Sequence, residues 1–116
     1  MTEQESNAAM MVRNYAEKLR YELVDTAAEG GAVIGKAYYL GFGQDERIFY
    51  HTVVDEAYGG RGLAGVLARA ALEETVAAGL KIVPVCPYIK RFVTKHADEF
   101  AEHVAKVKPA HLDALK

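Results

Sequence analysis

Apolar and polar positions begin to alternate over residues 18–25, where Leu19, Tyr21 and Leu23 interleave with Arg20, Glu22 and Val24. A two-residue period predicts a half-buried strand, because successive side chains leave a pleated backbone on opposite faces. The Glu29-Gly30-Gly31 turn reverses the chain into a second strand over residues 32–40, rich in the branched and aromatic residues that suit a pleated surface. Turn chemistry at Gly41-Phe42-Gly43-Gln44-Asp45 leads into a third strand over residues 47–54. Simple alternation puts Ile48, Tyr50, Thr52 and Val54 on one face of it and Phe49, His51 and Val53 on the other. These strands make an antiparallel meander.

The period then changes. Beyond Tyr58-Gly59-Gly60-Arg61-Gly62-Leu63-Ala64, the residues Ala64, Leu67, Ala68, Ala71, Leu72 and Thr75 recur at helical spacing, with Arg69, Glu73 and Glu74 around the other side. Gly79 supplies a left-handed cap for this long helix. Residues 81–85 form a short buried strand. Pro84 within it has no N–H to give, which places it at a sheet edge or where the sheet splays. Pro87 suits a first helical position and makes Cys86 the N-cap of a helix to about residue 94. Short helical stretches complete the tail, and the sum is an α+β class.

Residues 1–9 are small and polar with nothing to bury, so a disordered N-terminus is expected there, followed by one domain over residues 10–116. A chain of 116 residues at 51% hydrophobic content suffices for one core.

Charge narrows the partners. The 14 basic and 16 acidic residues are scattered, so no basic stripe exists to neutralise a run of phosphates, and nucleic acid is not an expected partner. The lone Cys86 cannot form an internal disulfide, the first residues lack the features of a signal peptide, and no apolar run approaches the roughly 18 residues of a membrane span. A cytoplasmic protein without membrane contact is the expectation. His96, His103 and His111 are joined by no carboxylate arrangement that would complete a metal site, so none is expected.

A strand that ends in a glycine-rich turn and opens a helix gathers unpaired N–H groups at the positive end of the helix dipole, where a pyrophosphate fits. Glycine at positions 60 and 62 lets a ligand approach the backbone, and Arg61 can add a charge-assisted contact. Spacing alone leaves open whether the turn binds anything. It lacks the third glycine of the dinucleotide fingerprint and the Lys-Ser or Lys-Thr of a P-loop, which puts NAD and ATP low.

Val53-Val54-Asp55, followed by Arg61-Gly62-Leu63-Ala64 and a long helix, resembles the coenzyme A motif Gln/Arg-x-x-Gly-x-Gly/Ala of the GNAT acetyltransferase superfamily. His51-Thr52-x-Val54, Gly60-x-Gly62-Leu63-Ala64 and Pro84-x-Cys86-x-Tyr88 together resemble its minimal single-domain branch, over residues 20–100. Gly59 stands where the motif has Gln or Arg. The resemblance implies a mostly antiparallel, twisted sheet that splays between the strand ending at Val54 and the one ending at Val85. The pantetheine arm of coenzyme A would lie in the gap, paired with the backbone of Val53 and Val54. Its phosphates would meet Gly59, Gly60, Arg61, Gly62, Leu63 and Ala64. Of the cations Lys90, Arg91 and Lys95 on the next helix, the first two are taken as further phosphate contacts, although most charged helix residues are only solvated.

Acetyl transfer needs a nucleophile, a base for its proton, donors for the tetrahedral oxygen and an acid for the leaving thiolate. Cys86, at a helix N-terminus with Lys90 and Arg91 nearby, has the setting that favours a thiolate and could itself accept the acetyl group; the alternative is an inert buried thiol. His51 is a candidate general base if its face looks into the cleft. Tyr88 is a candidate proton donor to the departing thiolate, or packs its ring beside the cofactor. The expected function is therefore an acetyl-coenzyme A-dependent N-acetyltransferase acting on an amine of a protein or small molecule, directly or through acetyl-Cys86. The alternative is a non-catalytic coenzyme A or acyl-coenzyme A binding module or sensor, since the chain lacks the helices that larger relatives place between their first strands to build the acceptor site.

Overall fold

All of the expected strands form, and another precedes them. In a computed structural model that describes residues 9–28 and 30–116, β1 (Met10–Tyr15), β2 (Arg20–Asp25), β3 (Ala32–Phe42) and β4 (Glu46–Val54) run antiparallel in chain order. β5 (Lys81–Pro84) completes the sheet parallel to β4. The disorder expected of residues 1–8 and the turn role of Glu29 lie outside the described residues. Ala9 is held, its carbonyl accepting the Thr26 N–H at 2.9 Å. Among the described residues no helix is long and apolar enough to cross a membrane.

β1 escaped the sequence pattern because its inward row includes a polar residue. Val12 and Asn14 pair with Leu23 and Tyr21, yet the half-buried Asn14 meets polar partners at the margin of the core: it accepts the Tyr39 hydroxyl at 2.7 Å and donates to the exposed Glu74 at 3.2 Å. β1 joins β2 through one tight turn, Ala16–Lys18.

α1 (Leu63–Ala77) lies across one face of the sheet, with Leu63, Leu67, Ala68, Ala71 and Leu72 packed against Tyr21, Leu23, Ala37, Tyr39 and Phe49. Leu63 is fully buried and Ala64, expected inward, is half-buried. Gly79, at φ +78°, ends the helix in the left-handed conformation that its position demands. α2 (Pro87–Lys95), α3 (Ala97–Phe100) and α4 (Pro109–Ala114) follow. The tail returns along the outer edge of β5, where the Ala105 N–H reaches the Ile82 carbonyl at 2.8 Å.

Two buried polar groups hold the opposite side of the sheet. Alternation put Glu22 on the polar row of its strand, yet it is only 1% exposed because Arg13 and Arg20 close over its carboxylate at 2.7–2.9 Å. Both guanidinium groups also lie over the Tyr15 ring. Burial raises the Glu22 pKa, but the two arginines outweigh it and hold the carboxyl below its ordinary value. His111 ties α4 to the β3–β4 hairpin: its Nδ1 accepts the Lys108 N–H at 2.9 Å, its Nε2 lies 2.7 Å from Glu46, and its ring meets the edge of Phe42.

The faces of β4 differ from simple alternation. Tyr38 pairs with His51 but Tyr39 pairs with Phe49, which leaves Tyr50 as an extra residue, a β-bulge. The bulge reverses the order of faces. Phe49 therefore shares the α1 side of the sheet with Val54, both packing into the core.

Because the folded carboxyl of Glu22 is depressed, its contribution is present above the ordinary value of 4.5 and is lost as pH falls through the folded value. Glu22→Ala is expected to lower stability by about 2 kcal/mol at neutral pH. Urea unfolding of the wild type should weaken from neutrality to below pH 4.5, and that acid-linked loss should be smaller in Glu22→Gln.

Candidate functional site

The β4–β5 ladder ends at Phe49 and Pro84. There the Phe49 carbonyl accepts the N–H of Val85 at 3.1 Å and of Cys86 at 2.8 Å. The chain then turns away into α2, while β4 runs on to Val54 still paired with β3. Among the described residues, the edge of β4 beyond Phe49 that faces β5 has no strand beside it. Such an edge carries backbone donors and acceptors ready to pair with an extended chain. The splay expected from Pro84 is present, and Cys86 stands at its apex.

Cys86 is 5% exposed, and its Sγ lies 3.5 Å from the Thr52 Oγ1. Thr52, and not its neighbour His51, is thus the side chain that touches the thiol. His51 turns to the outer face, exposed, with its ring on Tyr38 at 5.6 Å between centroids, and it makes no hydrogen bond among the described residues. The bulge at Tyr50 determines this exchange, and a single sequence carries little signal for a bulge that contains no glycine.

Beyond β4, the Asp55 N–H bonds the Ile34 carbonyl at 2.7 Å and the Asp55 carboxylate accepts the Ala57 N–H at 2.9 Å. Tyr58 donates its hydroxyl to Asp25 at 2.7 Å, anchoring the glycine turn to the end of β2. That bond raises the Tyr58 pKa and lowers that of Asp25. The Arg61 guanidinium lies 5.2 Å above the Tyr58 ring.

Gly60 and Gly62 have φ of +78° and +69°. A Cβ at Gly60 would meet no protein atom within 4 Å, so the protein requires glycine there for its backbone angle and leaves the space above it open. At Gly59 φ is ordinary, but a Cβ would sit 3.1 Å from the Glu56 carbonyl oxygen. The glycine found in place of Gln or Arg is therefore a feature of this turn's packing. α1 begins directly after Gly62 with no side-chain cap. Its first-turn N–H groups have no intrahelical acceptor, and they border a cavity of about 370 Å³ lined by Val54, Asp55, Tyr58, Gly60, Gly62 and Ala64. Open space, a positive helix end and backbone donors fit an anionic group such as a pyrophosphate.

A second cavity, of about 470 Å³, shares Gly62 and continues along α2, lined by Gly65, Tyr88, Arg91, Phe92, Lys95 and His96. The Tyr88 hydroxyl would be 3.7 Å from a Cβ on Gly65, so it rests against the first turn of α1. Burial raises the Tyr88 pKa against an opposing effect of Arg91, which keeps its proton in place at neutral pH. Lys90 is directed elsewhere, lining a groove of about 520 Å³ with Pro84, Val93, Thr94, Val104 and Leu112. Helical geometry explains the division: Arg91 and Lys95 stand four residues apart on one face, and Lys90 shares the next with Thr94. Lys95 is the cation that this spacing adds to Arg91 at the cavity.

A family model described as GCN5-related N-acetyl-transferase matches residues 20–103. Among curated proteins, the chain is similar to Protein NATD1 of Gallus gallus, 42% identical over 55 residues that cover 47% of this chain and 50% of that protein. It is also similar to Protein NATD1 of Bos taurus and of Homo sapiens, each 46% identical over 46 residues, covering 40% of this chain and 41% of the relative. The matches thus span half or less of these relatives.

Replacing Gly60 by Ala forces a side chain into the left-handed region and should lower stability by about 1 kcal/mol in urea unfolding. Gly41→Ala, at a position with an ordinary φ and nothing within 4 Å of the added Cβ, should be neutral or slightly stabilising. Equal losses at both positions would contradict the assignment.

Proposed function

The chain belongs to the GCN5-related N-acetyltransferase family, and from that premise we propose that it transfers an acetyl group from acetyl-coenzyme A to an amine. The observation that carries this reading is the junction of a bare β4 edge, with the Cys86 thiol at its apex, and a glycine turn that opens α1. Coenzyme A suits both parts at once. The amides of its pantetheine arm match the gap-facing backbone of Val54 and Thr52, since the Asp55 bond to Ile34 turns the backbone of Val53 toward β3, and its pyrophosphate matches the turn from Gly59 to Ala64, with Arg61 beside it. Bound there, it would supply a thioester carbonyl, the electrophile of the reaction.

The chain's own groups then divide the work. In the covalent route the Cys86 sulfur would bond to the acetyl carbon as its proton passes to a water molecule, and the bond from that carbon to the coenzyme sulfur would break. Tyr88 would give that sulfur a proton and recover one from solvent. The acceptor amine next attacks acetyl-Cys86, which frees the thiol and leaves the amide. In the direct route the amine attacks the thioester itself and Cys86 only lines the gap. Thr52 orients the thiol in either case. His51 is the base only for an amine arriving from the outer face, where its ring is exposed.

A second reading, a coenzyme A or acyl-coenzyme A binding module without turnover, draws on the single turn Ala16–Lys18 between β1 and β2. That turn leaves no helical wall at this end of the sheet to enclose an acceptor.

Intact mass spectrometry after incubation with acetyl-coenzyme A and a mixture of peptide and small amines separates the readings. Transfer predicts acetylated amines, with a single acetyl group on the wild type but not on Cys86→Ser if the covalent route operates. Binding without turnover predicts neither. Coenzyme A at one hundred times its dissociation constant should stabilise the fold by about 2.7 kcal/mol, and NAD and ATP should not. Absence of that selective stabilisation would overturn both readings.

A further inference from the structure

We infer that Arg91 and Lys95 form a subsite for the ribose 3′-phosphate of coenzyme A, so that the protein selects coenzyme A over its dephospho form. This rests on the proposal that the glycine turn holds the pyrophosphate.

The cavity along α2 shares Gly62 with the cavity at the turn, and the cations that line it are Arg91 and Lys95. α2 starts at Cys86, the apex of the strand gap. At about 1.5 Å of rise per residue, Arg91 lies about 8 Å and Lys95 about 14 Å along the helix axis from that apex. A cofactor with its sulfur at Cys86 and its pyrophosphate at the turn therefore carries its nucleotide end away from the apex, along these two side chains.

The two cations are also uncommitted. Among the described residues neither forms an ion pair or a side-chain hydrogen bond, whereas their neighbour Arg69 is bound to Glu99 at 2.7 Å and lies 3.6 Å from Glu73. No carboxylate lines this cavity among the described residues; Glu99, 3.4 Å from the Nδ1 of the lining His96, is already paired with Arg69. The rim consequently keeps two positive charges at helical spacing with no internal anion to neutralise them. A phosphomonoester carries close to two negative charges at neutral pH and three acceptor oxygens. It can take a forked contact from Arg91 and a point charge from Lys95. Dephospho-coenzyme A keeps the pyrophosphate, the adenosine and the pantetheine and lacks only this group, so it isolates the subsite.

The test is equilibrium binding of coenzyme A and dephospho-coenzyme A to the full chain and to a variant with both Arg91→Ala and Lys95→Ala. The wild type should prefer coenzyme A by about tenfold or more, and added salt should shrink the preference. The double variant should bind both ligands equally, near the wild-type affinity for the dephospho form. Arg91 and Lys95 are exposed, and the exchange variant Arg91→Lys with Lys95→Arg should retain most of the preference. Equal binding of the two ligands by the wild type, or parallel loss of both in the double variant, would overturn the subsite while leaving the coenzyme reading in place. A wild type that binds neither ligand would remove the coenzyme reading and the subsite with it.

Discussion

One carbonyl oxygen sets the geometry of this protein. Phe49 accepts from two successive amides, Val85 and Cys86, immediately after a proline that can donate to no ladder. A parallel pair cannot continue from such a point, because two donors have converged where a regular ladder would use them at different acceptors. β5 therefore leaves the sheet, β4 continues paired with β3 on its other side, and Cys86, two residues past the end of β5, is pinned at the fork. The bulge at Tyr50 falls on the very next residue of β4 and turns Thr52 toward that thiol.

The glycine turn is braced from its N-terminal side, where the Tyr58 and Gly59 amides bond the carbonyls of Asp55 and Glu56. Asp55 is bonded to Ile34 on β3 and Tyr58 to Asp25 at the end of β2, so the turn is held through residues that flank it. Gly60 and Gly62 adopt angles that other residues resist. Backbone donors placed this way need little reordering when an anion arrives, and preorganisation of that kind favours binding. Tyr88 connects the two parts, since it belongs to the helix that starts at the fork and its hydroxyl rests against Gly65 in α1.

Much of this fold was legible in the sequence. The strand period at Tyr21 and Leu23, the helical period from Leu67 to Thr75, Gly79 as a cap and Pro87 as a helix start each follow from local chemistry. The rest turned on partners distant in the chain. Asn14 is half-buried at the margin of the core, where it meets the Tyr39 hydroxyl and Glu74, and Glu22 is buried because Arg13 arrives from a strand that the pattern did not reveal. His111, in a polar tail, is buried only once Glu46 and Phe42 are brought beneath it. In the candidate site, the turn and Cys86 were readable as motifs. Thr52 was hidden by a bulge that alternation cannot register, and the separation of Lys90 from Arg91 and Lys95 required knowing which side of α2 faces the turn.

The central claim is that the fork at Phe49 and the glycine turn form one binding surface. Hydrogen exchange at single-residue resolution, with and without coenzyme A, tests it most directly. The account predicts slowed exchange, by about tenfold or more, for gap-facing amides between residues 50 and 54 together with those of Leu63, Ala64 and Gly65. Protection confined to the groove between Lys90 and Leu112, with the β4 edge and the start of α1 unchanged, would contradict it.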